Sequence, residues 1–434
     1  MKFATKVKQN LCNLIRCISD NRQDYVKNPQ TDFVRNRKLS LEKITHFLLT
    51  MSGQSTQDEL LNFYDHTEHT PTVSALTQQR DKISLTYFPE ILKRFNCQYP
   101  GKIKYKDYRL LACDGSDINI FSNPNDPASY YRNSLNDKGF NELHIDALYD
   151  LCNRTYQTLH VVGRHEQNEQ RALVNFMKAY TAEDKCIFIA DRNYESWNIL
   201  ANAQQSNLKY VIRAKDITSN GILHTFHINQ AVGETDMELS INLTRLKRCI
   251  DKKQPERFRT MATNVTFDFI SPGEEGIFPI GFRLVRIRIG EDKYESLLTN
   301  LCVSEFSMQE IKELYAMRWG IETSFRELKH ALSLNKLHSK KVDHIHQEIF
   351  AKVIMYNFCS LITMHVAQKR KKRKHIHQIN FSRAIKECRH FLMCAPDDPP
   401  DVEAVIMQYM LPIRPGRSNP RKVKIREKAS FLYR

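Results

Sequence analysis

The sequence predicts an α/β protein with a mostly β insertion, flanked by helical N- and C-terminal regions. From residue 105 to 215, short apolar runs alternate with helical stretches, which is typical of a sheet covered by helices. From 216 to 305 the apolar residues alternate with period two, and before 100 and after 308 they recur at helical spacing. We therefore expect five segments. They are a helical region over 1–100, a core over 101–215, a β-rich insertion over 216–305, the rest of the core over 306–368 and a basic region over 369–434.

The first hundred residues contain three helix signals. The first is LSLEKITHFLLT, which Gly53 follows as a stop, the second is TQDELLNF behind Ser55, and the third starts at Thr72. Two short helices and a turn beside the basic RNRK at 35–38 could form a helix-turn-helix that reads DNA. Any helical bundle offers such a pair, so both interpretations stay open.

The core segment predicts strands and helices in alternation. The apolar runs are YRLLAC, INIF, LHIDALYDL, KCIFIA and KYVIRA, with a polar helix QNEQRALVNFM and a helix from Glu195 between them. In the insertion, FRLVRIRI, the turn GEDK and YESLLTNL predict a strand, a turn and a returning strand.

Charge and composition limit the classes of protein and of binding partner that need to be considered. The chain has 434 residues, and 41% of them are hydrophobic, which excludes a disordered or collagen-like protein. Its formal charge of +16 makes nucleic acid the first partner to consider and a membrane surface the second. The 11 cysteines include no C-x-x-C pair, and no signal peptide is evident, so we expect reduced thiols and a cytoplasmic location. Lys352, Asn357 and His365 interrupt the apolar stretch 349–367, which favours a buried helix over a membrane span.

Residues 307–335 form the pattern that carries the chemistry. Leu314, Met317, Ile321, Phe325, Leu328 and Leu332 make one apolar helix stripe. Tyr315, Arg318, Glu322, Arg326 and Lys329 fall beside that stripe, within an arc of roughly 80°. A solvated helix face with Glu and Arg pairs would have the same composition.

The order of these residues is more specific than their composition. Tyr315, Arg318, Glu322 and Lys329, with Trp319 after the Arg, resemble the Y-R-E-K signature of the insertion sequence four family of bacterial transposases. That resemblance implies an RNase H-like core with one aspartate on its first strand and another just after its fourth, and a β domain inserted before the Glu. Asp114 and Asp191 each close an apolar run and are placed for these roles. Asp114-Gly115 also fits a hairpin turn, and Asp191 also fits the cap of the next helix.

The resemblance assigns chemistry to each residue. Asp114, Asp191 and Glu322 would be the catalytic carboxylates and would hold two Mg²⁺ ions about 4 Å apart, with Mn²⁺ able to substitute. Tyr315, Arg318 and Lys329 would bind phosphate beside the scissile bond, with Arg326 assisting. Arg213, at the end of KYVIRA, would contact DNA or be a solvated strand end. The basic run KRKKRK at 369–374 would contact phosphates or be solvated.

Two questions concern aromatic side chains that could hold a DNA base. Trp319 could support an unstacked base or sugar, although we favour a partly buried position at the edge of the stripe. The insertion has no tryptophan, so an aromatic that holds a flipped base during hairpin formation would have to be Phe267, Phe269, Phe278 or Phe282.

The sequence therefore predicts a bacterial transposase that binds the terminal repeats of its element and cuts and joins DNA as a homodimer. No membrane and no small-molecule substrate are expected. A metal-dependent endonuclease and a catalytically silent DNA-binding descendant remain alternatives, separable by whether strands are joined, only cut, or only bound.

Overall fold

The computed structural model describes residues 2–132, 134, 138–181, 184–229, 233–291, 293–368, 377–395, 399–413 and 430–431. The basic run at 369–374 lies outside the described residues.

The N-terminal region is helical, as predicted. Its helices are α1 (Phe3–Asp20), α2 (Leu41–Thr50), α3 (Thr56–Phe63), α4 (Val73–Arg80) and α5 (Tyr87–Gln98). The side chains of Ser40, Ser55 and Thr72 accept the backbone N–H groups that begin α2, α3 and α4. Five residues separate α2 from α3, and nine separate α3 from α4. Both connections are longer than the three or four residues of a helix-turn-helix turn.

The central sheet begins with five strands. They are β1 (Arg109–Ile120), β2 (Phe140–Asp150), β3 (Thr155–Gly163), β4 (Cys186–Ala190) and β5 (Lys209–Ala214), in the spatial order β3-β2-β1-β4-β5. β2 is antiparallel to β1 and β3, whereas β4 is parallel to β1 and β5 is parallel to β4. Helices α6 (Glu169–Ala179) and α7 (Trp197–Gln205) precede and follow β4. Strand β3 was not predicted from the sequence.

The predicted division of this region into two apolar runs is wrong, and the alternative of a turn between them is excluded. The runs YRLLAC and INIF belong to the single strand β1, and Asp114-Gly115 is not a hairpin turn. Asp114 and Gly115 pair with Ala147 and Asp146 of β2, so the ladder continues through them. Burial of the strand on both sides, together with this unbroken pairing, overrides the local turn preference of Asp-Gly.

The insertion extends the same sheet. Its strands are β6 (Thr235–Thr244), β7 (Phe258–Thr260), β8 (Phe278–Gly290) and β9 (Lys293–Thr299). β9 pairs antiparallel with β5, and the order continues β8, β6, β7. β8 and β9 form the predicted strand, turn and returning strand. Residues 130–131 extend the other edge beside β2, and two-residue pairings join 336–337 to 430–431 and 377–378 to 411–412.

The segment predicted as one helix over 307–335 is divided. It forms α8 (Met308–Ala316), α9 (Trp319–Arg326) and a π turn over Glu327–Ala331. Arg318, Gly320 and Ile321 donate to the carbonyl three residues earlier, which tightens the backbone where α8 meets α9. The apolar stripe is interrupted there, because Met317 is 36% exposed whereas the other five members are buried.

In the described part of the C-terminal region, the structure has α10 (Val342–Gln368), α11 (Phe381–Met393) and α12 (Val402–Gln408). Residues 342–367 are long and apolar enough to cross a membrane, but 83% of their most apolar window is buried inside the protein. This agrees with the predicted buried helix. The buried residues that pack against α10 belong to one apolar layer. A second apolar layer lies on the opposite side of β1.

A buried ion pair joins the N-terminal helices to α10. Two guanidinium nitrogens of Arg80 donate to the Glu348 carboxylate at 3.1 Å, and both side chains are almost fully buried. Glu348 also accepts the backbone N–H of His338 at 3.1 Å. Arg80 lowers the pKa of Glu348 to about 2 against the opposing effect of burial, so this carboxylate is charged.

We expect Glu348→Gln to lower the free energy of unfolding by about 3–5 kcal/mol, because it leaves the buried Arg80 without its counter-charge. The midpoint of urea unfolding measures this. Asp343→Asn is the matched control, since it breaks the exposed pair with Lys27 and should cost less than about 1 kcal/mol. Equal effects of the two substitutions would contradict the role assigned to Glu348.

Candidate active site

Asp114 lies in the middle of β1, not at a strand end as predicted. Side chains alternate along a strand, so Leu110 and Ala112 pack in the apolar layer that contains Ile321 of α9. Leu111 and Cys113 pack in the opposite layer, with α6 and α7. Asp114 follows the alternation and therefore points toward α9.

Asp191 directly follows β4, as predicted. Its Oδ1 accepts the backbone N–H of Asn193 at 2.8 Å, which caps the 3₁₀ turn over Arg192–Tyr194. The strand-end position and the capping role, which the sequence left as alternatives, are therefore both present. Because β4 is parallel to β1 and adjacent to it, Asp191 lies beside the half of β1 that carries Asp114.

Arg318 joins two of the three carboxylates. Its Nη2 donates to Glu322 Oε1 at 2.8 Å, and its Nη1 lies 4.0 Å from Asp114 Oδ2. The guanidinium is nearly buried, with the residue 5% exposed, and its Nε has no hydrogen-bond partner among the described residues. β1 and α9 thus place one carboxylate on each side of a single cation.

The three carboxylates influence one another electrostatically. Burial, then the charge of Asp191 and more weakly that of Glu322, raises the pKa of the Asp114 carboxyl to about 7. The Gly115 N–H and Arg318 act in the opposite direction. The site therefore has more negative charge than Arg318 alone neutralises.

A divalent cation suits this donor set by its chemistry. Carboxylate oxygens are the ligands that Mg²⁺ prefers, and a cation would relieve the repulsion that raises the Asp114 pKa. In the part of the chain that the structure describes, no three potential ligands are close enough to form a metal centre as they stand. The side chains would have to close around an ion.

Tyr315 and Arg213 extend the site toward β5 and β9. The Tyr315 hydroxyl is buried without a hydrogen-bond partner among the described residues, and the Arg318 guanidinium carbon lies 5.6 Å from the ring centroid. Arg213 pairs with Glu295 of β9 at 3.3 Å. Burial raises the pKa of Tyr315, and the charges of Arg318, Glu295 and Arg213 also act on it, so these groups are neighbours.

The remaining predicted DNA-binding residues on this segment differ in their exposure and in their contacts. Trp319 is 57% exposed with the Arg318 guanidinium 5.2 Å from its ring centroid, so the favoured partly buried position is wrong. Arg326 is exposed. Lys329, in the π turn, donates to the Asp117 carbonyl of β1 at 2.9 Å.

The reverse face of β1 carries a polar network that the sequence analysis missed. His144 of β2 contacts Asp117 at 2.7 Å and Asp146 at 3.1 Å. These bonds outweigh the effect of burial and raise the pKa of His144 to about 9. The available signal was the pair His144 and Asp146, which are polar residues at alternate positions of the run LHIDAL.

The insertion phenylalanines form a core cluster. Phe267, Phe269 and Phe278 have ring centroids 4.9–5.5 Å apart, and Phe282 is buried against Trp197 at 6.2 Å. Of the four rings that the sequence offered as holders of a flipped base, Phe267 and Phe282 are buried, whereas Phe269 and Phe278 are partly buried.

Gly115 permits the close approach of β1 to the polar network around His144. A Cβ at this position would lie 2.6 Å from both Glu169 Oε1 and His144 Cε1.

We expect Gly115→Ala to lower the free energy of unfolding by roughly 1–3 kcal/mol through overpacking, measured by chemical denaturation. Gly281→Ala is the control, because a Cβ there meets only the Leu239 carbonyl at 3.9 Å. A neutral Gly115→Ala variant would exclude this packing constraint.

Comparisons with known proteins give a family match and a structural similarity. Residues 105–358 match the family described as the transposase DDE domain. Among solved structures, the chain is similar to piggyBac transposase in a cryo-EM structure of its synaptic complex with hairpin DNA, at 12% identity and a TM-score of 0.46, over 96% of this chain and 86% of that one. Comparison with curated protein sequences gives no match. The family match covers more than half of the 434 residues, and the chain therefore belongs to the transposase DDE domain family.

Proposed function

We propose that this protein is a DNA transposase that cleaves the ends of its element and joins them to target DNA, with Asp114, Asp191 and Glu322 as the catalytic carboxylates. The observation that carries the proposal is the placement of these three side chains. They come from β1, the end of β4 and α9, and Arg318 lies between Asp114 and Glu322. Membership of the transposase DDE domain family supports the same reaction class.

We further propose that β1 to β5 are an RNase H-like core. When the two residues at 130–131 are left out of the count, Asp114 lies on the first strand and Asp191 follows the fourth, which is the arrangement that the resemblance implies. The strands that follow β5 and precede Glu322 fit the inserted β domain. Tyr315, Arg318, Glu322 and Lys329 would then be the Y-R-E-K signature of the insertion sequence four family.

The three carboxylates would hold Mg²⁺, or Mn²⁺ in its place. The chemistry supplied by the bound ions would be activation of the attacking oxygen and stabilisation of charge on the leaving oxygen of the phosphodiester. One set of carboxylates could serve both steps, because water attacks in the first and the liberated 3′-hydroxyl attacks in the second.

The chain's own cations would position the DNA strand. Within the described residues, the Arg318 Nε–H has no partner, and its planar fork suits a phosphate. The hydroxyl of the adjacent Tyr315, which also has no hydrogen-bond partner in the described part of the chain, could donate to the same group. Lys329 donates one of its three ammonium N–H groups to the Asp117 carbonyl, which fixes the π turn to β1. The other N–H groups would be the donors to a DNA phosphate.

Groups around the site suit a nucleic acid substrate. The exposed indole of Trp319 offers a face on which an unstacked base can rest. Arg213, Arg326 and the net charge of +16 favour the phosphate backbone. Two element ends must be processed together, so we propose a homodimer when DNA is bound.

The two alternatives make different products. A metal-dependent endonuclease would nick or cut DNA without joining it, and a silent DNA-binding descendant would bind DNA without breaking a strand. Both are compatible with the same fold, so the products formed decide between them.

We expect Asp191→Asn to lower Mg²⁺-dependent cleavage of element-end DNA by at least about 10³-fold, because the reaction would lose a metal ligand. DNA affinity measured in EDTA should change by less than about threefold, since Asp191 is not assigned a phosphate contact. Asp184→Asn is the control, because Asp184 lies on the surface just before the same strand, paired with Lys104. Retained cleavage by the Asp191 variant would overturn the site assignment.

A further inference from the structure

A cavity of about 460 Å³ lies between α2, α3 and α11, and its lining belongs to other elements than those that carry the three carboxylates. Its walls combine apolar groups such as Phe47, Phe63 and Met393 with the basic side chains of Lys386, Arg389 and His390. The volume is within the range of small-ligand sites. The cations mark it as a site for an anion.

Arg389 is the central observation. The residue is 8% exposed, and its Nη2 donates to the Leu332 carbonyl at 3.3 Å. Its Nε is buried without a hydrogen-bond partner among the described residues. Burial lowers the pKa of Arg389 to about 10, which still leaves the guanidinium charged near neutral pH. A buried charge with an unused donor is costly unless a partner compensates it.

The neighbouring groups do not supply that compensation in full. Lys352 is also buried and donates to the same Leu332 carbonyl at 2.9 Å, so it adds positive charge. Glu59 also lines the cavity and is the nearby anion, and its Oε1 accepts three hydrogen bonds, two from Ser52 and one from Gln54, which hold the turn between α2 and α3. This one carboxylate lies near two buried cations, Arg389 and Lys352, so the cluster retains net positive charge.

Two more basic side chains line the same cavity. Lys386 and His390 are three residues before and one residue after Arg389 on α11, and all three line this cavity. Residues three and four apart lie on one face of a helix. A buried fork with an ammonium at the mouth is a typical arrangement for a phosphate oxyanion.

We propose that this cavity binds a phosphate group through Arg389 and Lys386, with His390 at its edge. The phosphate would be part of a DNA backbone or a free phosphate ion, since the recognising chemistry is the same. The site is independent of the cleavage chemistry, so it can exist whether or not the proposed transposase activity is correct.

Inorganic phosphate is the probe for the first experiment. Thermal unfolding of the full chain is followed with phosphate or with sodium chloride at equal ionic strength. We expect saturating phosphate to raise the unfolding temperature of the wild type by roughly 2 °C more than chloride does. Lys386→Gln and Arg389→Lys should bind phosphate at least about fivefold more weakly. Lys386→Gln keeps the test informative if the buried Arg389 variant does not fold.

Arg383→Gln is the matched control. Arg383 is on the same helix, pairs with Glu387 at 2.8 Å and does not line the cavity, so its loss removes the same charge. It should leave phosphate binding unchanged. Absence of a phosphate effect in the wild type, or an equal loss in Lys386→Gln and Arg383→Gln, would overturn the proposal.

A second experiment separates the two sources of phosphate. Affinity for a short DNA duplex is measured by fluorescence anisotropy in EDTA, where no cleavage occurs. If the phosphate comes from DNA, Lys386→Gln should weaken this affinity about fivefold and inorganic phosphate should compete. Unchanged DNA affinity with lost phosphate binding would assign the site to a free phosphate ion.

Discussion

The burial of β1 between two helical layers is the constraint on which the rest of the site depends. Alternate side chains of this strand enter opposite apolar layers, so a slip of one residue in its pairing would exchange the two sets between the layers and turn Asp114 away from α9. That register turns Asp114 toward α9 and leaves only glycine at the next position, where His144 and Glu169 approach the backbone. The position of Asp114 is therefore fixed by packing, before any metal or DNA is considered.

The segment that carries Glu322 is held at both ends by polar contacts with other regions. At its start, Arg318 lies between Glu322 and Asp114, and after it Lys329 binds the β1 backbone. The Leu332 carbonyl, just beyond the π turn, accepts hydrogen bonds from Lys352 of α10 and Arg389 of α11. The C-terminal helices thus contact the proposed catalytic segment directly, and the cavity beside Arg389 lies next to that connection.

Local signals allowed much of the fold to be predicted. Caps at Ser55 and Thr72, the apolar run before Asp191 and the turn between β8 and β9 depend on neighbouring residues and appear where the pattern places them. Features set by tertiary packing were missed or mistaken, including the uninterrupted β1, the break before α9 and the exposed Trp319. The roles of Asp114, Asp191 and Glu322 stay predictions, although the fold places their elements side by side.

The most direct test is incubation of the full chain with supercoiled DNA that carries its element's ends, in Mg²⁺ or EDTA, with Glu322→Gln beside the wild type. The account predicts cleaved and joined products from the wild type in Mg²⁺ alone, and neither product from the variant, which should still bind the DNA. Cleavage that persists in Glu322→Gln would contradict the proposed carboxylate site. Metal-dependent cutting by the wild type without joining would instead favour the endonuclease.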